Sequence, residues 1–228
     1  MTEPLHQDIT FDRDALVALL AEKSPQAAFE RCDFEGADLS GLDLRGFTFT
    51  ACNFAETLFK GAKLSSSRWK DCRARQADFQ ATDLTDARFW QCDLNNTFWG
   101  AARLSSALFS EVKLTGANFR ECLGLGLSFS ETLLVGADLR GLSFRKQKLE
   151  QLDMSDADLG GCDFRDTIFN GGSLRDANLK NTQFDGADLR SVDLGGLRIT
   201  AVAQLLKGAV ISADQAADML RSVGVRVH

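Results

Sequence analysis

The chain has no tyrosine and only two histidines, His6 and His228, both near its ends. Histidine is the side chain most used for proton transfer near neutral pH, so its scarcity argues against an acid–base catalyst. No apolar run reaches the length of a transmembrane helix. The opening MTEPLHQDITFDR is polar and acidic, with no secretory apolar core. No glycine-rich phosphate loop and no metal-ligand spacing occurs. These absences predict a cytoplasmic protein that is not an enzyme, takes no cofactor or metal, and does not enter a membrane.

What the sequence has instead is a period of five. Positions whose numbers end in 4 or 9 run unbroken from Phe29, Phe34, Leu39 and Leu44 to Leu189, Leu194 and Ile199. Of these 35 positions 29 are Leu or Phe, the others being Trp69, Ala74, Trp99, Gly124, Met154 and Ile199. Two residues earlier the side chains are small: Ala27, Cys32, Ala37, Cys52, Ala62, Ser67, Cys72, Ala77. Such a period fits neither a helix at 3.6 nor a strand at 2.0 residues. Fixed self-similarity at short period marks a solenoid.

If each quintet forms one side of a square, four quintets close a coil of twenty residues. The large residue then points to the axis from every side and the small one fills the corner. Residues 27 to about 201 make about nine such coils, joined at strand spacing. Glycines with numbers ending in 1 or 6, such as Gly36, Gly41, Gly61 and Gly136, suit the corners, where positive φ is needed. A convex surface of this kind offers its many carboxylates no cleft.

All six cysteines (Cys32, Cys52, Cys72, Cys92, Cys122, Cys162) fall on the small inward position, the first four spaced by 20. Each replaces an alanine that recurs there, and no histidine accompanies them. They read as reduced, buried, small hydrophobes, which fits a cytoplasmic protein.

The ends differ from the middle. Residues 1–26 form an N-terminal segment in which Asp12 or Asp14 caps a helix over Ala15, Leu16, Leu19 and Leu20, ending before Pro25. The repeat proper spans 27–199. Residues 200–228 read as a helical cap: Thr200 starts Ala201–Leu206, stopped by Gly208. Ser212 and Gln215 then form a capping box for a second helix, closed by Gly224. Val225 and Val227 alternate as a short strand. The apolar content exceeds what closing one coil requires, which suggests symmetric dimerisation through Ala216, Met219, Leu220, Val223, Val225 and Val227.

Tandem A(D/N)LXX units, seen as Ala37-Asp38-Leu39, Ala117-Asn118-Phe119, Ala137-Asp138-Leu139, Ala157-Asp158-Leu159, Ala177-Asn178-Leu179 and Ala187-Asp188-Leu189, resemble the pentapeptide-repeat proteins. That resemblance implies an all-β solenoid: a right-handed quadrilateral β-helix, here with short helical caps at both ends. The tail, with Gln215-Ala216-Ala217, Met219-Leu220 and Val223-Gly224-Val225, is similar to the C-terminal dimerising segment of the topoisomerase-protecting subgroup. This subgroup includes the Qnr-type quinolone-resistance proteins, the mycobacterial fluoroquinolone-resistance protein and the microcin B17 immunity protein. The resemblance implies a homodimer that mimics DNA and binds DNA gyrase or topoisomerase IV, protecting it from a quinolone or peptide toxin. Gram-negative Qnr-type proteins carry two loop insertions, whereas the register here is unbroken.

Three surfaces could carry binding. Between Glu150 and Asp193 there are ten acids and four bases. The candidate acidic surface is Asp153, Asp156, Asp158, Asp163, Asp166, Asp176, Asp185, Asp188 and Asp193; the alternative is that Asp before the central Leu is ordinary repeat chemistry. Lys60, Lys63, Arg68, Lys70, Arg73 and Arg75 form an opposite cluster, read as a salt-bridged band with no direct nucleic-acid contact expected. Trp90, Phe98, Leu108, Leu133 and Val135 fall in exposed register, a candidate contact patch for a structural scaffold, effector or adaptor with a non-topoisomerase partner. Beside them, around Gly124, either a bulge turns Leu123 or Leu125 inward or both join the patch.

Overall fold

The computed structural model describes residues 5–21, 27–195, 197 and 204–227. The chain is a parallel β-solenoid of about eight turns with two short helices. The repeat count gives about nine; the quintet that would close on Ile199 lies outside the described residues. Strands recur every twenty residues: β2 (Ala28–Glu30), β3 (Thr48–Thr50), β4 (Arg68–Lys70), β5 (Arg88–Trp90), β6 (Leu108–Ser110), β7 (Ser128–Ser130), β8 (Lys148–Glu150) and β9 (Ile168–Asn170). Contacts divide the chain into two compact units, Met1–Ser128 and Phe129–His228.

In the first unit each strand from β2 to β6 lies parallel to the next, with every residue opposite the one twenty further on, as in Phe29↔Phe49 and Phe49↔Trp69. The other three sides of a coil are joined by single bridges such as Asp33↔Asn53, Asp38↔Leu58 and Asp43↔Lys63. Four sides per turn follow directly. From Phe29 to Leu194 every position ending in 4 or 9 is buried except Gly124, which is half-buried. The large rings therefore stack coil on coil: Phe59, Phe79, Trp99 and Phe119 lie 4.7, 4.3 and 5.4 Å apart and within 5° of parallel. Such pairs add about 0.5–1.5 kcal/mol each to the area they bury.

The corners show how far the core dictates the backbone. Gly36, Gly41, Gly61 and Gly136 have φ between +64° and +70°. Residues with side chains do the same at equivalent places, among them Arg31 (+52°), Ala51 (+52°), Glu56 (+57°) and Asp156 (+57°). Left-handed backbone costs a non-glycine residue about 1–2 kcal/mol, so core burial imposes the corner whatever the residue there.

At the small inward position several polar groups are satisfied by the preceding coil. The hydroxyls of Thr57, Thr82 and Thr167 donate to the carbonyls of Phe34, Phe59 and Phe144 at 2.7, 2.8 and 2.8 Å. The thiols of Cys52, Cys72 and Cys162 make the same contact with Phe29, Phe49 and Leu139. Alanine, cysteine and threonine are thus interchangeable there, because each fits and none leaves a buried polar atom unmet.

The first unit begins with an element the repeat pattern did not announce. β1 (Leu5–Gln7) pairs parallel with β2, His6 opposite Phe29. His6 stacks on Phe29 (5.2 Å) and Phe11 on Phe34 (5.2 Å, 10°). The imidazole Nε2 is buried with no hydrogen-bond partner among the described residues. Helix α1 (Arg13–Ala21) follows, capped by Asp12, whose carboxylate accepts the Ala15 N–H (2.8 Å). Of the expected apolar face only Leu16 is buried.

In the second unit β8 and β9 pair in the same register, Leu149↔Phe169, and Phe144, Phe164 and Phe184 form a column at 4.9 and 5.3 Å. Helix α2 (Ala213–Ser222) starts on the expected capping box. Ser212 Oγ accepts the Gln215 N–H (3.1 Å) and Gln215 Oε1 accepts the Ser212 N–H (2.7 Å). The Gln215 amide also donates to the carbonyls of Leu189 and Val192 (2.8 and 2.7 Å), tying the helix to the coil beneath. At its end Gly224 takes φ +85°, with bonds from Gly224 N–H to Arg221 O and from Val225 N–H to Leu220 O.

Two expectations for the tail are corrected or unaddressed. Residues 225–227 form no strand, since no described strand lies beside them to pair with. The helix expected from Thr200 to Leu206 falls on residues 200–203, outside the described residues, and on 204–206, of which Gln204 and Leu205 are helical.

Candidate binding surfaces

Five of the nine candidate aspartates have a structural duty. Asp153, Asp158, Asp163, Asp188 and Asp193 each accept the backbone N–H two residues on, from Ser155, Gly160, Arg165, Arg190 and Gly195, at 2.8–3.2 Å. This local turn explains why Asp recurs before the inward residue. Ion pairs neutralise five of the nine: Asp163–Arg165 (2.7 Å), Asp188–Arg190 (2.6 Å), Asp193–Arg175 (2.8 Å), Asp158–Arg140 (3.3 Å) and Asp166–Arg145 (3.4 Å). Guanidinium hydrogen bonds hold the Asp163 and Asp188 carboxyls below the usual carboxylate range.

Asp153, Asp156, Asp176 and Asp185 have no ion pair among the described residues. Three of these come together: Asp156 and Asp176 turn the same corner of successive coils, and Asp153 lies on the side leading into it. Asp185 stands at a different corner, beside Gly186.

The basic cluster is not the salt-bridged band expected. Of its six members only Arg75 has an ion pair among the described residues, with Asp93 (2.6 Å). The rest spread over all four sides, because positions 60, 63, 68 and 73 belong to successive quintets. Lys63 stands in register between Asp43 and Asp83, and Arg73 between Asn53 and Asp93. Arg68 and Lys70 share β4 and have no acidic residue on that strand.

The hydrophobic residues also divide. Trp90 and Leu108 share the β5–β6 side of the first unit. Phe98, 44% exposed, lies on the row Leu58, Asp78, Phe98, Asn118, a different side. Leu133 and Val135 belong to the second unit, Leu133 opposite Asp153. The five form no single patch within either unit. Leu123 and Leu125 are 59% and 85% exposed, so neither turns inward. Toward the preceding coil the ladder holds at Gly124, with Leu123 O and Leu125 O accepting from Leu104 and Ser106 at 2.8 and 2.9 Å. The glycine removes a side chain from the core and leaves the backbone in register.

In the tail, Met219 is buried and lines a cavity of about 240 Å³ with Val192, Leu194, Leu197 and Arg175. Ala216 and Val227 are half-buried, while Leu220, Val223 and Val225 are exposed. Burial pushes the Cys72 thiol well up and those of Cys122 and Cys162 to about 11 and about 12, so these thiols stay neutral and unreactive at physiological pH. Among the described residues no group of three or more His, Cys, Asp or Glu is placed to hold a metal, and no helix is long and apolar enough to cross a membrane.

The geometry agrees with what other proteins show. A pentapeptide repeat region model matches residues 25–99, and a model of pentapeptide repeats in eight copies matches residues 91–123, 128–166 and 157–196. No curated protein matches the chain. Among solved structures, a trypsin-treated variant of QnrB1, a plasmid-mediated fluoroquinolone resistance protein, is 20% identical, covers 99% of this chain and 98% of its own, and gives a TM-score of 0.66. Full-length QnrB1 gives 0.56 at 20% identity, over 97% of this chain and 100% of its own. HetL, a pentapeptide repeat protein involved in heterocyst differentiation regulation in the cyanobacterium Nostoc, gives 0.35 at 19% identity, over 88% and 97%. The QnrB1 likeness establishes the fold, the repeat models cover most of the chain, and the chain belongs to the pentapeptide-repeat family.

Proposed function

We propose that this protein is a non-catalytic, cytoplasmic binder of a type II topoisomerase, DNA gyrase or topoisomerase IV, which it shields from a quinolone or peptide poison by occupying a DNA-binding surface. The observation that carries this reading is the corner formed by Asp153, Asp156 and Asp176. Its carboxylates stay uncompensated where most neighbouring acids are paired, and Asp156 and Asp176 repeat at coil spacing of about 4.8 Å. An enzyme that grips duplex DNA presents cations spaced for phosphates, and fixed carboxylates on a stiff coil stack compete for them. Likeness to QnrB1 over nearly the whole length supports the choice of partner.

The direct experiment adds purified protein to a gyrase supercoiling reaction poisoned with ciprofloxacin. Supercoiling should recover at micromolar protein. No change in gyrase or topoisomerase IV activity, with or without drug, would contradict the reading.

The same proposal includes a homodimer through the exposed Leu220, Val223 and Val225. Light scattering should report a dimer for the native protein and half that mass for Leu220→Asp/Val223→Asp. A dimer that persists in this variant would place the contact elsewhere.

A further inference from the structure

On the outward side of β4 and β5 two arginines stand directly opposed. Arg68 pairs in parallel register with Arg88, and Lys70 with Trp90. All four side chains point to solvent. None of Arg68, Lys70 and Arg88 has an ion pair among the described residues. The acids that border this side, Asp71, Asp86 and Glu111, sit at coil corners. Glu111 is already engaged, accepting from the Trp90 indole N–H (2.9 Å) and the Gln91 amide (2.7 Å).

Like charges directly opposite across strands weaken a sheet. The repeat does not require them, since equivalent places hold threonine in β3 and leucine and serine in β6. The fold therefore accepts an unfavourable pair at a place where it has free choice, which is the usual mark of a surface kept for a partner.

The remaining features describe that partner. Arg88 is held in place, its guanidinium donating to the Ser106 carbonyl (2.7 Å). Lys70 Nζ lies 4.7 Å over the Trp90 ring, so the indole is 40% exposed but has one face covered. Lys70 occupies a ring face that a stacked base would need, which disfavours nucleic acid. Arg68 and Lys70, two residues apart on one strand, are separated by about 7 Å, the spacing of alternate side chains on an extended peptide.

We propose that the outward side of β4 and β5 is an interaction surface for an extended, acidic protein segment whose carboxylates fall on alternate residues and so share the face turned toward Arg68 and Lys70. This surface lies in the first unit and does not depend on the acidic corner of the second.

The test uses fluorescence anisotropy with the full chain and a labelled peptide of alternating glutamate and serine. The peptide should bind, and its glutamine counterpart should not. Arg68→Glu and Arg88→Glu should each weaken binding about tenfold or more, while Lys180→Glu in the second unit should not. Because Arg68→Glu turns an opposed like pair into an opposite one and leaves the bond from Arg88 to Ser106 in place, its melting temperature should rise by about 1–4 °C. Binding that is absent, or unchanged in both arginine variants, would overturn the proposal. So would a melting temperature that falls in Arg68→Glu, which would assign Arg68 to the fold. A single-stranded oligodeoxynucleotide that binds more tightly than the peptide, and is lost in the same variants, would replace it with a nucleic-acid surface.

Discussion

Trp99→Ala should cost the protein about 3–5 kcal/mol of stability, while Phe98→Ala, at the adjacent residue, should cost about 1 kcal/mol or less. Trp99 is fully buried, with Phe79 stacked 4.3 Å on one face and Phe119 5.4 Å on the other. Its indole N–H donates to Thr97 Oγ1 (2.8 Å), and that hydroxyl in turn donates to the Leu94 carbonyl (2.7 Å). Truncation empties the axis of one coil, breaks the ring column at its middle and leaves the threonine oxygen without its donor. The coils above and below cannot collapse into the gap, because each is fixed to its neighbours by backbone bonds on four sides. Phe98 loses only surface contacts. Urea denaturation of the two variants measures the difference, and similar losses for both would mean that the inward register is wrong.

Gly172→Ala should cost about 2–4 kcal/mol, a large effect for one methyl group. Gly171 and Gly172 both have positive φ, +77° and +86°, and a Cβ at 172 would lie 2.1 Å from the carbonyl oxygen of Leu152. That oxygen is backbone and cannot move aside. Position 172 belongs to the small inward set, where alanine is the commonest residue elsewhere, so sequence pattern alone would rate this substitution harmless. The matching control is Gly161→Ala, where φ is +72° and nothing lies within 4 Å of the added carbon. Ala51, Ala81 and Ala101 already occupy equivalent corners. Its cost should be about 1–2 kcal/mol. Equal losses in both variants would show that the backbone at 171–172 follows the ordinary course of the repeat.

The coil was legible because its signal is redundant. One position in five specifies burial, and the lapse at Gly124 leaves the bonds to the preceding coil in place. The helix start at Ser212 was equally legible, since capping is local chemistry between residues three apart, and the first helix start was narrowed to Asp12 or Asp14, of which Asp12 is the cap. β1 was not, although a trace of it is present: His6, Phe11 and Leu16 keep the five-residue spacing in a frame shifted from that of Phe29. A search tied to one frame passes over it.

The surfaces were hardest to read. A count of acids and bases between Glu150 and Asp193 could not show that Asp163 and Asp188 are tied to Arg165 and Arg190 two residues on, while Asp156 and Asp176 share a corner alone. Pairing depends on which side of the coil each residue faces. The same holds for Arg68 and Arg88, brought together only by register.

The central functional claim is that the uncompensated carboxylates of one corner make the contact with the topoisomerase. The measurement that tests it compares binding of the native protein and Asp153→Asn/Asp156→Asn/Asp176→Asn to purified gyrase, with Asp163→Asn/Asp188→Asn as the paired-acid control. Affinity should fall at least about tenfold in the triple variant and change little in the control, the native protein weakening steeply as salt is raised. Equal affinity in all three proteins, or loss confined to the control, would contradict the claim.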